Sequence, residues 1–436
     1  MTPQPNDADL DQTALIARDL IRFDTSNYGE GKANPEKEAA EYVASHLRDL
    51  GLEPVLVDSD PGRTSVIARV HGEVRDDALV VHGHLDVVPA IADNWSVDPF
   101  GGEIKDGMLW GRGAVDMKNM DAMMLASLGD ILGSGRKPAR DLVIAFFADE
   151  EAGGVRGSHH VVDTRPELFE GATEAISEVG GYSIDLGGKR AYLVQTGEKA
   201  LMWITLRARG TAGHGSQINR ENAVTRLAEA VARIGSEEWP TRLTDTTREL
   251  LGEVARILGR DPQRSTPEEL AIATGTASRF IAATLRTTAN PSMLSAGYKA
   301  NVIPDVAEAV IDVRVLPGEE DTVLERIREL AGEHVEVHMQ HRDIGLEVPF
   351  AGPLVDQMAV SLRRFDPEAE VLPYLLSGGT DNKALSKLGI TGYGFAPLQL
   401  PGSLDFPALF HGVDERVPLD ALVFGRKVLT DLLLTY

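Results

Sequence analysis

Hydrophobic positions along this chain follow two different periods. Residues 10 to 23 and 35 to 50 place apolar side chains at helical spacing, and the second segment, PEKEAAEYVASHLRDL, opens with Pro and acids and stops at Gly51. Strand-like runs follow at 64 to 70 and 79 to 83, the latter ending abruptly in His84-Leu85-Asp86. The segment Trp110 to Lys118, WGRGAVDMK, is rich in turn formers, and Asn119 to Leu132 reads as a helix. An apolar strand from Leu142 to Ala148 then ends on three acids, Asp149, Glu150 and Glu151. Strands alternating with helices predict an α/β sheet, an architecture that carries its sites at the carboxyl ends of strands.

From about Gly197 the texture changes. A strand over Leu201 to Arg209 leads through TAGHGSQ into a helix over Arg220 to Ile234. A strand (Ala307 to Leu316), a helix (Asp321 to Ala331) and a strand (His334 to Met339) complete a compact α+β set. Such a set predicts a small domain over 198–343 inserted between catalytic segments 1–197 and 344–436. Within it lies a polar insert of helical pattern, about 237–278, without a cluster of chemical groups. The α/β texture resumes from about Leu346, with helices near 353 to 364 and 419 to 434.

A chain of 436 residues exceeds one ordinary core. Its 43% hydrophobic and 25% charged residues suit a soluble protein, and no apolar run approaches the ~18 residues of a membrane span. The opening MTPQPNDADLDQ lacks the regions of a signal peptide, and cysteine is absent, so a cytoplasmic location is expected. The net charge of −24 argues against nucleic-acid and anionic-membrane partners.

Chemistry concentrates where strands and loops end: His84 with Asp86, Asp116, Glu150 with Glu151, Glu178 in ISEVGG, and His411 in FHGVDERV. Taken singly, each has an ordinary explanation as a solvated strand end or a structural turn residue. Together they supply two imidazoles and several carboxylates, a donor set that suits zinc or a bridged metal pair. Asp86, two residues from His84, can orient a metal-ligating imidazole.

The ordered motifs HGHLDVVP, GRGAVDMK, ADEEAGG, TAGHGS, NVIP with DVR, SGGTD and HGVDERV resemble the dinuclear zinc amidohydrolase and exopeptidase superfamily. That superfamily includes aminoacylase, acetylornithine deacetylase, succinyl-diaminopimelate desuccinylase, glutamate carboxypeptidase and carboxypeptidase S. The resemblance implies a mixed-sheet catalytic domain carrying an inserted ferredoxin-like lid and dimerisation domain, a homodimer, and two Zn²⁺ per chain, with Co²⁺ or Mn²⁺ as substitutes. It further implies that Asp116 bridges the metals, that His84 and Glu178 hold one, and that Glu151 and His411 hold the other. Asp86 would orient His84, and Glu150 would be the general base that takes a proton from water and delivers it to the leaving nitrogen. His214 would reach a partner's site and support the tetrahedral intermediate. Asn301 and Arg314 would hold substrate, Arg314 gripping a carboxylate toward which Gly378, Gly379 and Thr380 could offer backbone donors. Lys383 stands where many relatives carry arginine. The other histidines, His46, His71, His82, His159, His160, His334, His338 and His341, are assigned to structure or solvent.

The expected activity is metal-dependent hydrolysis of an amide bond next to a free carboxylate, in a dipeptide or an N-acyl amino acid. Two alternatives stand beside it, a biosynthetic deacylase of an N-acyl diamino acid and a catalytically silent metal-binding scaffold.

Overall fold

The computed structural model describes residues 7–29 and 31–436. Its larger body is a mixed sheet of ten strands, whose central strands explain the position of the site. Strand Val74–His84 lies parallel to Arg140–Phe147 on one side and to Ala172–Ser177 on the other, with His84 opposite Phe147 and Val81 opposite Ile176. Three parallel neighbours therefore finish at one edge, and the residues just beyond them, His84, Glu150, Glu151 and Glu178, are delivered to the same place. The central runs Leu79–Val81 and Leu142–Phe147 are apolar on both faces because helices cover the sheet. One of these, Lys118–Gly133, is almost wholly buried and begins two residues after Asp116.

Residues Ala200–Arg209, Val306–Val315, Thr288–Ala296 and Val335–Arg342 form a second, four-stranded antiparallel sheet. Alternation decides its two faces. Met202, Ile204, Ile311 and Val313 point into a separate apolar core with helices Ala223–Gly235 and Glu320–Ala331. The first of these helices starts where the Asn222 side chain accepts hydrogen bonds from the amides of Val224 and Thr225. The opposite face carries Leu201, Trp203, Asp312 and Arg314, which roof a cleft above the edge of the large sheet.

Elements expected from periodicity appear within a few residues of their expected ends. The helical insert differs from expectation in its packing. Sequence order groups it with the small domain, but Leu250, Leu251, Val254, Leu270 and Ile281 join the larger core, and helix Asp245–Leu258 packs on strand Glu370–Leu376. An amphipathic period reveals that a helix has an apolar face without revealing which sheet covers it. Among the described residues, no helix is long and apolar enough to cross a membrane.

Candidate dinuclear metal centre

Two groups of side chains meet at the sheet edge and share one residue. His84, Asp116 and Glu178 form the first, and Asp116, Glu151 and His411 the second, with the candidate ligand atoms of each group within 4.8 Å of one another. His84 Nε2 lies 3.2 Å from Asp116 Oδ1 and 3.4 Å from Glu178 Oε2. His411 Nε2 lies 3.1 Å from Asp116 Oδ2 and 3.1 Å from Glu151 Oε2. The two oxygens of Asp116 thus face different imidazoles, as a bridging carboxylate requires. Glu150 belongs to neither group, and its Oε2 is 3.9 Å from His84 Nε2.

Charge crowding tests whether cations fit here. Burial, then the neighbouring Glu178 carboxylate, pushes Glu150 well above the usual carboxylate range. Burial also lifts Glu178 and Glu151, each further raised by Asp116. Burial opposes the charged form of His84, yet Glu178 and Asp116 hold its ring well above the usual histidine value. Asp116 is drawn below its ordinary value by its bonds to His411 and His84, which outweigh its burial. Glu151 Oε1 is buried without a hydrogen-bond partner. Four buried or half-buried carboxylates around two imidazoles, one oxygen orphaned, form a donor set that divalent cations would neutralise and satisfy.

The supporting residues were only partly foreseen. His84 Nδ1 bonds the main-chain carbonyl of Asp86 at 2.9 Å, with the Asp86 carboxylate at 3.6 Å. That carboxylate is occupied elsewhere: Oδ1 accepts from the amide of Glu150 (3.0 Å), and Oδ2 from the amide of Glu151 (3.2 Å) and from Asn27 Nδ2 (2.8 Å). Asn27 also donates to Asp149 at 3.2 Å, and Arg63 lies 3.3 Å from Asp149. On the other side Glu415, fully buried, accepts from the amides of Val115 (2.6 Å) and Asp116 (3.1 Å) and pairs with Arg112 at 2.7 Å. Glu415 therefore ties the His411 segment to the turn that presents Asp116. Its place four residues after His411 in HGVDERV was the available signal; Asn27 and Arg63 stand in segments with none.

A cleft of about 560 Å³ opens beside the centre. Arg314, Gly378, Gly379 and Thr380 line it. Arg314 already grips Asp312 in a two-pronged pair (2.7 and 3.0 Å). Thr380 departs from its expected role because its amide and hydroxyl both donate to the buried Glu198 carboxylate, at 2.9 and 2.6 Å, leaving neither for a substrate. Two histidines assigned to structure or solvent, His159 and His341, also line the cleft. His341 projects from the roof sheet, opposite Trp203, with Nε2 buried and unpartnered. Lys383 is buried at its rim, donating to the Lys199 carbonyl at 2.9 Å. His214 and Asn301 do not line this cleft. They sit together on an exposed two-stranded ribbon, where Gly215 donates to the Asn301 carbonyl at 2.9 Å and His214 Nδ1 meets Ser216 Oγ at 2.8 Å.

A mixed α/β sheet with an inserted antiparallel domain and two ligand groups sharing an aspartate defines a class of metal-dependent hydrolases. The chain belongs to Peptidase family M20/M25/M40, whose model matches residues 80–435. It is 29% identical over 373 residues to probable carboxypeptidase S-like 2 of Dictyostelium discoideum, covering 78% of this chain and 68% of that protein. It is 27% identical over 436 residues to the N-fatty-acyl-amino acid synthase/hydrolase PM20D1 of Xenopus tropicalis, covering 94% and 83%. In fold it resembles the M20 family metallo-carboxypeptidase Sso-CP2 of Sulfolobus solfataricus, with a TM-score of 0.76, 19% identity, and coverage of 97% and 99%.

Proposed function

We propose that this metallo-hydrolase cleaves an amide bond next to a free carboxylate, in an N-acyl amino acid or a dipeptide, using Glu150 as general base. The observation that carries the reading is the pair of ligand groups sharing Asp116, with the uncommitted Glu150 carboxylate beside them. When bound, two divalent cations, proposed to be zinc, supply Lewis acidity toward the amide carbonyl and acidify water. His84 and Glu178 would hold one and Glu151 and His411 the other, with Asp116 between them. Glu150 takes a proton from the attacking water and delivers it to the leaving nitrogen. Burial and the neighbouring Glu178 carboxylate raise the basicity of the Glu150 carboxylate, which favours its taking the proton from water. Asp86 is a positioning residue, holding the amides of Glu150 and Glu151 in register with His84.

Arg314, with donors left over after pairing Asp312, is proposed to hold the substrate carboxylate from the roof, near Gly379. The roof acids Asp312 and Asp343 are paired with Arg314 and Lys383, which disfavours the cationic side chain of a diamino acid. Residues 198–236 and 287–343 are proposed as the lid, hinged where Glu198–Ala200 runs beside Leu346. His214 and Asn301 are proposed to serve the cleft of a second copy, so that the working form is a homodimer. Exposed Ile218 and Tyr298 beside that ribbon support an interface there. The proposed location is cytoplasmic. Chelator-stripped protein should hydrolyse none of a panel of N-acyl amino acids and dipeptides, zinc should restore hydrolysis, and Glu150→Gln should bind the metal with turnover lowered by orders of magnitude. Undiminished hydrolysis by that variant would remove Glu150 from its role.

A further inference from the structure

The apolar side of the cleft is built by a segment that holds none of the candidate ligands. Helix Ser278–Ala283 closes the helical insert, and its residues divide by face. Ile281, like Ala277 just before the helix, is buried in the larger core, whereas Phe280 and Ala283, three apart and so on one side of the helix, line the cleft. The Phe280 ring lies 5.7 Å from that of Phe410, centroid to centroid, and Phe410 packs edge-on against buried Phe406 at 5.3 Å. Phe410 immediately precedes His411, so this aromatic wall adjoins the Asp116, Glu151 and His411 group. The wall is also fixed in place. Buried Lys199, in the crossing between the two sheets, donates from Nζ to the carbonyls of Ala283 and Arg286 at the end of that helix.

We propose that Phe280, with Phe410, forms the wall of an apolar acyl subsite, and that the helical insert sets specificity for large acyl groups. Resting on the amide-hydrolase reading above, the arrangement lays the acyl chain of an N-acyl amino acid along the wall while its carboxylate faces Arg314. Apolar contact of this kind is worth on the order of fourfold in binding per buried methylene. A short acyl group would not reach along the wall and would be indifferent to it.

The test compares kcat/KM for N-octanoylglycine, N-acetylglycine and N-acetylphenylalanine in the zinc-loaded parent, Phe280→Ala and Phe280→Leu. In Phe280→Ala the ratio of N-octanoylglycine to N-acetylglycine should fall about tenfold or more, and Phe280→Leu should restore most of it. The ratio of N-acetylphenylalanine to N-acetylglycine should stay within about twofold. An unchanged first ratio overturns the proposal, as does a loss confined to N-acetylphenylalanine, which would give the wall to the amino-acid side chain. Calorimetric binding of octanoate and acetate reads the wall without turnover. Octanoate, with six more methylenes, should bind more than about tenfold tighter than acetate to the parent and lose most of that advantage in Phe280→Ala. If no substrate of the set is hydrolysed, the reaction reading fails, and the octanoate measurement alone decides the wall, equal binding in parent and variant refuting it.

Discussion

Replacing Asp86 by Ala separates two accounts of what this buried carboxylate does. If it chiefly orients His84, its loss should weaken metal binding about 10–100-fold, the usual cost of removing such a partner. The geometry assigns it a different task. His84 keeps its 2.9 Å bond to the Asp86 main-chain carbonyl, which alanine also provides. What disappears is the acceptor for three donors, the partly buried amides of Glu150 and Glu151 and the buried Asn27 amide group. A donor left without its partner costs about 1–3 kcal/mol, so with Asn27 keeping Asp149 the two amides lose about 2–6 kcal/mol gross. Water entering the vacated space recovers part of it, leaving a destabilisation of a few kcal/mol. The Glu150–Glu151 turn loses its anchor, and a shift of about 1 Å in a catalytic group costs about 10²-fold in rate. Asp86→Ala should therefore melt several degrees below the parent, bind the His84-side metal within about tenfold of parental affinity, and lose about 10²-fold in kcat. Thermal unfolding, metal titration and steady-state kinetics on one preparation measure all three. Parental stability and kcat with metal affinity alone reduced would refute this reasoning and restore the simpler role.

Glu150→Gln should lower kcat roughly 10²–10⁴-fold while metal content, measured by elemental analysis, stays at the parental value. Glu415→Gln leaves Arg112 buried without its counter-charge and should destabilise the fold by about 3–5 kcal/mol in denaturant unfolding; an unchanged midpoint would show that the Asp116 turn does not depend on it. Asp381 and Glu415 are both pushed up to about 7 by burial, and Glu150 and Glu178 stand well above their ordinary values. Folded values above unfolded ones give stability that is complete below the ordinary carboxylate range and lost as pH rises through the folded values, whereas Asp116, held low, contributes in the opposite sense. Metal-free protein should accordingly melt lower at about pH 8 than at about pH 5, and stabilisation by zinc should grow across that interval. Equal melting temperatures in chelator at the two pH values would contradict it.

Much of the fold was legible because periodicity reports local structure directly. The run Leu79 to Gly83 and the run Leu142 to Ala148 read as strands, and both are. Their parallel pairing, which makes His84 and Glu150 neighbours, is a long-range fact that neither run contains. The ligand candidates emerged from acids and histidines at strand ends taken with the family resemblance. Their supports did not, because Asn27 and Arg63 look like any polar residue until the chain closes around them. His341 escaped notice for a different reason. Alternation places it on one face of its strand, but only the packing of the small sheet over the large one turns that face toward the cleft. For the same reason the insert looked like an appendage of the small domain, although Phe280 reaches the cleft from the larger body.

The central claim is a two-metal centre bridged by Asp116, and zinc titration of chelator-stripped protein tests it most directly. The account predicts two equivalents bound per chain in the parent, one in His411→Ala, and loss of tight binding at both sites in Asp116→Ala. One equivalent in the parent, or two retained in Asp116→Ala, would contradict it.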